Sequence, residues 1–228
     1  AIVSAGSAVK AASAGDEVEI VTDETPFYGE MGGQVGDTGT ITAKDLLIEV
    51  VDAARPSDHI IAHRGVVKKG KIAVGDEVDL SVESRTRRMT EANHSATHLL
   101  HAALREVLGE HVKQAGSLVS PERLRFDYSH FGQVKKAELE RVEDIVNERI
   151  REDHEVVSRE LAYDAAVAEG AIALFGEKYG DVVRAVKVPG VSMELCGGTH
   201  TDRTGKIGVF KIVHEGSIAS GVRRVEAV

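Results

Sequence analysis

"NHSATHLLHAALREVL", residues 93–108, repeats its apolar positions at helical spacing and fills much of the other side with histidine. At about 100° per residue, Ala92, Ala96, Leu99, Ala103 and Val107 share one face. His94, His98, His101 and Arg105 fall in an opposite stripe about 60° wide. This predicts a helix over 85–109 that buries its apolar face and offers imidazoles to a cleft. Outward from it, 134–153 has the same spacing and 163–179 suggests a third, shorter helix. Strand-like pieces lie at 123–128, 156–160, 181–195, 207–214 and 221–228, so this part is expected to be α+β, with helices packed on an antiparallel sheet. Before it, 16–84 is a series of short β-branched runs split by turns: "DEVEIVTD", "TGTITA", "LLIEVVDA", "HIIAHRGVV" and "DEVDLSVE". "GDEV" occurs at 15 and again at 75, each time as a turn feeding a strand, which predicts a small antiparallel β-barrel. Two domains follow, 1–84 and 85–228. The opening "AIVSAGSAVKAASAGDEV" reads as a linker running into a strand, and the chain as a piece cut from a longer one.

At 228 residues, with 42% hydrophobic and 29% charged, the composition is that of a globular protein with a sizeable core. No apolar run approaches the roughly eighteen residues of a membrane span, so a soluble protein is expected. No basic, apolar leader opens the chain and the lone Cys196 has no internal disulfide partner, which points to a reducing cytoplasm. A net charge of -9 argues against indiscriminate nucleic-acid binding, but the charge is unevenly spread. Nine acids lie between 138 and 160, whereas Arg203, Lys206, Lys211, Arg223 and Arg224 face only Glu215 between 203 and 224. Arg85, Arg87 and Arg88 form a second basic cluster. Arg85, Arg88, Arg223 and Arg224 are candidate RNA contacts; solvated surface charge is the alternative.

His94 and His98, four residues apart, can chelate one ion from a helix. Such a pair is weak evidence alone. A second half strengthens it: "CGGTH" at 196–200 puts the only cysteine four residues before a histidine, in a Gly-Gly loop between two expected strands. Zinc takes neutral imidazole and thiolate in a tetrahedral set, and His94, His98, Cys196 and His200 supply one. Ser95, not Glu, follows the first histidine, so the metalloprotease signature is absent.

"TPFYGEMGGQVGDTG", "NHSATHLLHAALREVLGEHVKQAGSLVSPERLRFDYSHF" and "SMELCGGTHTDRTGKIGVFKIVHEGSIASGVRRVEAV" resemble the editing region of alanyl-tRNA synthetase over well over a third of the chain. The resemblance implies a barrel followed by a zinc-containing editing domain, similar to free-standing alanyl-tRNA editing proteins and more distantly to threonyl-tRNA synthetase. It implies hydrolysis of the ester joining serine or glycine to the acceptor end of tRNA(Ala). The partners expected are that tRNA and the aminoacylation and C-terminal domains of a longer chain. By resemblance Gln114 lines the pocket, its amide able to donate and accept toward a serine hydroxyl, with Thr90 and Ser117 as further candidates. Gly32 and Gly33 resemble the glycine motif that this family places near the acceptor end. His101 and Arg105 are expected to contact phosphate or brace the ligands.

Zinc in such a shell either activates water or orients the ester, and the sequence leaves both open. Competing readings are a threonyl-type site that also clears serine, and a non-catalytic RNA-binding module with structural zinc. A small-molecule metallohydrolase is disfavoured because the sequence offers no Glu or Asp beside the ligands as base.

Overall fold

The β-branched runs pair as antiparallel strands in the structure, a computed structural model that describes residues 1–173 and 179–228. It divides into two units, Ala1–Arg87 and Arg88–Val228. The first holds β1 (Ile2–Ser4), β2 (Ser7–Val9), β3 (Ala11–Ser13), β4 (Glu17–Ile20), β5 (Gly39–Ala43), β6 (Leu46–Ser57), β7 (Ile60–Lys69), β8 (Lys71–Ala73) and β9 (Asp79–Val82). Seven form one antiparallel sheet in the order β2-β1-β4-β7-β6-β5-β9, and β3 pairs with β8. Strand alternation builds the core: Leu46, Ile48 and Val50 of β6 point inward while Leu47, Glu49 and Val51 point out. Ile2, Ile20, Phe27, Ile41 and Val67 complete it, each large side chain contributing about 1.5–3 kcal/mol by burial.

The opening segment is not the linker expected. It forms β1 to β3, because Ile2 and Ala12 drop into that core and the backbone between them pairs. The two "GDEV" copies make the same turn. Asp16 accepts from the Ser13 N–H at 2.8 Å and Asp76 from the Ala73 N–H at 2.8 Å, so each carboxylate fixes the turn that launches the next segment.

The second unit begins within α1 (Ser84–Leu108) and continues with β10 (Gln114–Val119), β11 (Leu124–Ser129), α2 (Lys136–Arg151), β12 (Val157–Ala162), α3 (Tyr163–Ala168), β13 (Val182–Val188), β14 (Ser192–Leu195), β15 (Ile212–Ala219) and β16 (Val222–Ala227). The strands form two antiparallel sheets, β10-β11-β16-β15 and β12-β13-β14. Leu99, Leu100, Ala103 and Leu104 of α1 and Val142, Ile145, Val146 and Ile150 of α2 pack with Leu124, Phe126, Tyr128, Val225 and Ala227 of the four-stranded sheet. This is the α+β arrangement expected. The strand foreseen at 207–214 starts only at Ile212, after a 3-10 turn at Thr204–Ile207. The third helix ends at Ala168, where Gly170 at φ 91° lets its N–H and that of Ala171 turn back onto Val167 and Ala166. Residues 174–178 of that expected helix lie outside the described residues. Among the described residues, no helix is long and apolar enough to cross a membrane.

Candidate metal centre

α1 is the scaffold of the site. Its histidines sit where the periodicity puts them, but from His94 to Leu104 almost every residue is buried. The imidazoles therefore face the interior of the unit and not an open cleft, because β14 and the loop after it cover the side that the sequence left polar. His94, His98, Cys196 and His200 converge with all four donor atoms within 4.8 Å of one another. Cys196 Sγ lies 3.4 Å from His94 Nε2 and 3.3 Å from His200 Nε2. Tetrahedral zinc with Zn–N near 2.0 Å and Zn–S near 2.3 Å separates nitrogen from sulfur by about 3.5 Å, so the Cys196–His94 and Cys196–His200 spacings match this ion.

The electrostatics favour the ligating forms of Cys196 and His200. Burial would raise the Cys196 thiol, but the His94 imidazole and hydrogen bonds with His200, His94 and His98 outweigh it and hold the thiol well below its usual value. Burial, then the charge of His94, lowers His200 to about 3. His98 goes the other way: burial would lower it, yet Glu194 and Cys196 raise it to about 9. A proton shared near the thiolate is what a metal ion displaces on binding.

Neighbouring groups orient the donors. Ser95 Oγ lies 3.2 Å from His200 Nδ1 and accepts from the Thr201 N–H at 3.1 Å. The residue that stands where a metalloprotease has its base is thus a brace on a candidate donor, His200. Arg184 on β13 donates to the carbonyls of Cys196 at 2.8 Å and Gly198 at 2.6 Å, pinning the "CGG" loop. No spacing signal in "VVRAVKV" marks that arginine.

Glu194 was also missed, and it corrects the expectation that no carboxylate stands beside the ligands. Its Oε1 accepts from His101 at 3.2 Å and from Ser192 at 3.0 Å and lies 4.0 Å from His98 Nδ1. It stands behind His98, on the side away from the donor cluster, so it is no base at the metal face. Strand alternation held the signal: Met193 and Leu195 pack in one apolar cluster, which turns Glu194 and Cys196, two residues apart, toward α1. His101 accordingly braces the carboxylate behind a ligand. Arg105 instead donates to the carbonyls of Glu110 and Val112, closing the loop after α1.

Gln114 lies on β10, and its amide N–H donates to Ser117 Oγ at 3.2 Å. Residues three apart on a regular strand face opposite sides; a register shift between Gln114 and Gly116 brings these two together. Thr90 is buried in α1. Gly32 and Gly33 sit at φ 60° and 84° between Met31 and Gln34, which exchange backbone hydrogen bonds of 3.3 and 3.1 Å. They form a defined two-residue hairpin turn that a side chain would strain, with open space around Gly32. Arg85 and Arg88 are exposed. Arg223 forks onto Glu215 at 2.5 and 2.8 Å, and Arg224 onto Asp127 at 2.7 and 2.8 Å. Arg203, Lys206 and Lys211 pair with Asp153, Asp202 and Glu143.

Residues 1–86 match the family described as tRNA synthetases class II (A), and residues 183–226 match the threonyl and alanyl tRNA synthetase second additional domain. The chain is 56% identical over 228 residues to the alanine–tRNA ligase of Desulfosudis oleivorans, covering 100% of this chain and 26% of that protein. It is 59% identical over 227 residues to that of Anaeromyxobacter dehalogenans, covering 100% of this chain and 25% of the relative. With that of Shewanella loihica it shares 54% over 223 residues, 98% of this chain and 25% of the relative. The chain thus spans about a quarter of the length of the curated relatives it matches. With that likeness running its whole length, and the second additional domain matching the stretch that carries Arg184, Glu194, Cys196 and His200, the chain belongs to the alanyl-tRNA synthetase family.

Proposed function

We propose that this chain edits mischarged tRNA(Ala), hydrolysing the ester that joins serine or glycine to the terminal ribose. The reading is carried by one observation: a three-histidine, one-cysteine donor set, His94 and His98 buried and Cys196 and His200 half-buried, built across α1 and the second-additional-domain segment. Bound there, zinc supplies Lewis acidity toward the ester or toward water. The rest falls to the chain's own groups. Ser95 and the Arg184-pinned loop hold the donor geometry, while Gln114 and Ser117, already hydrogen-bonded, offer a polar pair for the serine hydroxyl. Water adds its oxygen to the acyl carbon and the ribose oxygen leaves with a proton. A pocket that hydrogen-bonds a hydroxyl leaves polar groups unpaired when alanine enters, and such sites discriminate by about 10⁴–10⁵.

For the RNA itself, the proposal takes Arg85 and Arg88 on the exposed first turns of α1 and the Gly32–Gly33 turn as contacts. Arg223 and Arg224 reach phosphate only by giving up their carboxylates. The setting is the cytoplasm, and the aminoacylation and C-terminal domains belong to the longer protein. The test is a deacylation time course with seryl-, glycyl- and alanyl-tRNA(Ala) for the wild type and Gln114→Leu. Serine should be cleared fastest and alanine spared, and Gln114→Leu should slow serine with its zinc content unchanged. A mutant that clears serine at the wild-type rate removes Gln114 from the pocket. One observation favours a second reading: four protein donors already complete a tetrahedron, as in structural zinc sites. A wild-type chain that binds tRNA but turns over no ester establishes that alternative.

A further inference from the structure

Glu194 is a buried carboxylate with no Arg or Lys at ion-pair distance among the described residues. Its partners are imidazoles and a hydroxyl. An isolated buried carboxylate is costly unless a cation balances it. His98 poses the complementary problem. His98 bonds the Cys196 thiol while its Nδ1 is buried without a hydrogen-bond partner among the described residues, so Nε2 is the nitrogen turned to the donor cluster. A histidine that ligates through Nε2 carries its proton on Nδ1, and such a proton is normally given to a carboxylate, carbonyl or water. The nearest charged acceptor is Glu194 Oε1 at 4.0 Å, held by His101 at 3.2 Å and Ser192 at 3.0 Å. His101 is itself fixed, fully buried and tilted against Phe126 at 5.2 Å.

We infer that Glu194 is the positioning residue of the metal centre, the outer carboxylate that faces the His98 Nδ1–H as its acceptor, holds the tautomer that ligates through Nε2 and balances the charge of the bound ion. The inference rests on the four-donor centre proposed above and deepens it. His101 and Ser192 are the struts that aim the carboxylate. A thiolate neutralises one charge of a divalent ion, and Glu194 supplies the second negative charge within the same buried shell.

The test measures metal, not turnover, on the full 228-residue chain. Wild type and Glu194→Gln are loaded with zinc against a chromophoric chelator, and with cobalt(II) for its visible ligand-field spectrum. Glu194→Gln should keep the metal-free melting temperature, weaken zinc binding about 10- to 100-fold and shift the cobalt bands. In a His98→Ala background the same substitution should weaken zinc binding less, because the route through the imidazole is gone and only the charge of the carboxylate remains. Wild-type affinity and an unshifted cobalt spectrum in Glu194→Gln overturn the inference, as does an undiminished effect in the His98→Ala background. If Glu194→Gln fails to fold, Ser192→Ala removes one strut without touching a donor. It should then weaken zinc binding several-fold, and an unchanged affinity overturns the inference. A wild-type chain that takes up no zinc overturns the metal centre itself, and this inference with it.

Discussion

Cys196 is the one soft, anionic donor among three imidazoles, and the buried histidines around it already hold it toward thiolate. Zinc content should approach one per chain in the wild type, and Cys196→Ala should lose most of it by metal analysis. Full retention takes Cys196 out of the shell. A second prediction belongs to His63 in the first unit. It is buried between Ile20, whose carbonyl its Nδ1–H meets at 2.7 Å, and the Thr25 hydroxyl, 2.7 Å from Nε2. Burial lowers this imidazole below its usual value of 6.5. Between that depressed value and 6.5 the unfolded chain binds more protons than the folded one, so His63 costs stability as pH falls below 6.5 and nothing above it. Denaturant melts of the first unit across pH 5–7 should show the loss, and His63→Gln should flatten it. At this scale the donors were legible, since i, i+4 spacing on a helix and a four-residue loop are local patterns. Glu194 was not. Its meaning depends on which side of β14 faces α1, and β14 is nearly a hundred residues away in sequence.

At the scale of elements, the fork of Arg223 on β16 and Glu215 on β15 ties the edge of the four-stranded sheet, and the Tyr128 hydroxyl of β11 donates to the same carboxylate at 3.0 Å. Both charged side chains are largely buried, at 12% and 5% exposure. Arg223→Met should strand a buried carboxylate and cost about 3–5 kcal/mol in a denaturant melt. A loss under about 1 kcal/mol, with weaker tRNA binding, would instead make Arg223 an RNA contact. The contrast between the acidic stretch at 138–160 and the basic one at 203–224 was visible in the sequence. Its outcome within the fold, Lys211 on Glu143 and Arg203 on Asp153, was not, because ion pairing across elements follows from docking. The same holds for β10, a strand absent from those that the sequence pattern marks. A stretch containing "QAGSLV" becomes a strand because β11 offers it a partner.

For the molecule as a whole, each unit has its own apolar core and all four metal donors belong to the second. An ion held at a thousandfold excess over its Kd stabilises its unit by about 4 kcal/mol. Chelation should therefore strip hydrogen-exchange protection from α1 beyond Arg88 and from β14 while the strands of residues 1–87 keep theirs. Equal loss in both units would show that the metal supports the entire chain. Short-range physics made much of this readable in advance. Helical and strand periods mark where the helices and most strands lie, glycine turns mark the hairpins, and donor chemistry marks the four side chains that converge. Only the tertiary structure decided that the opening segment pairs into the sheet, that the histidine stripe is roofed over, and that Ser95, Arg184 and Glu194 brace the centre from behind. Those outcomes depend on contacts between residues far apart in the chain, and no local period records which of two faces a distant strand will cover.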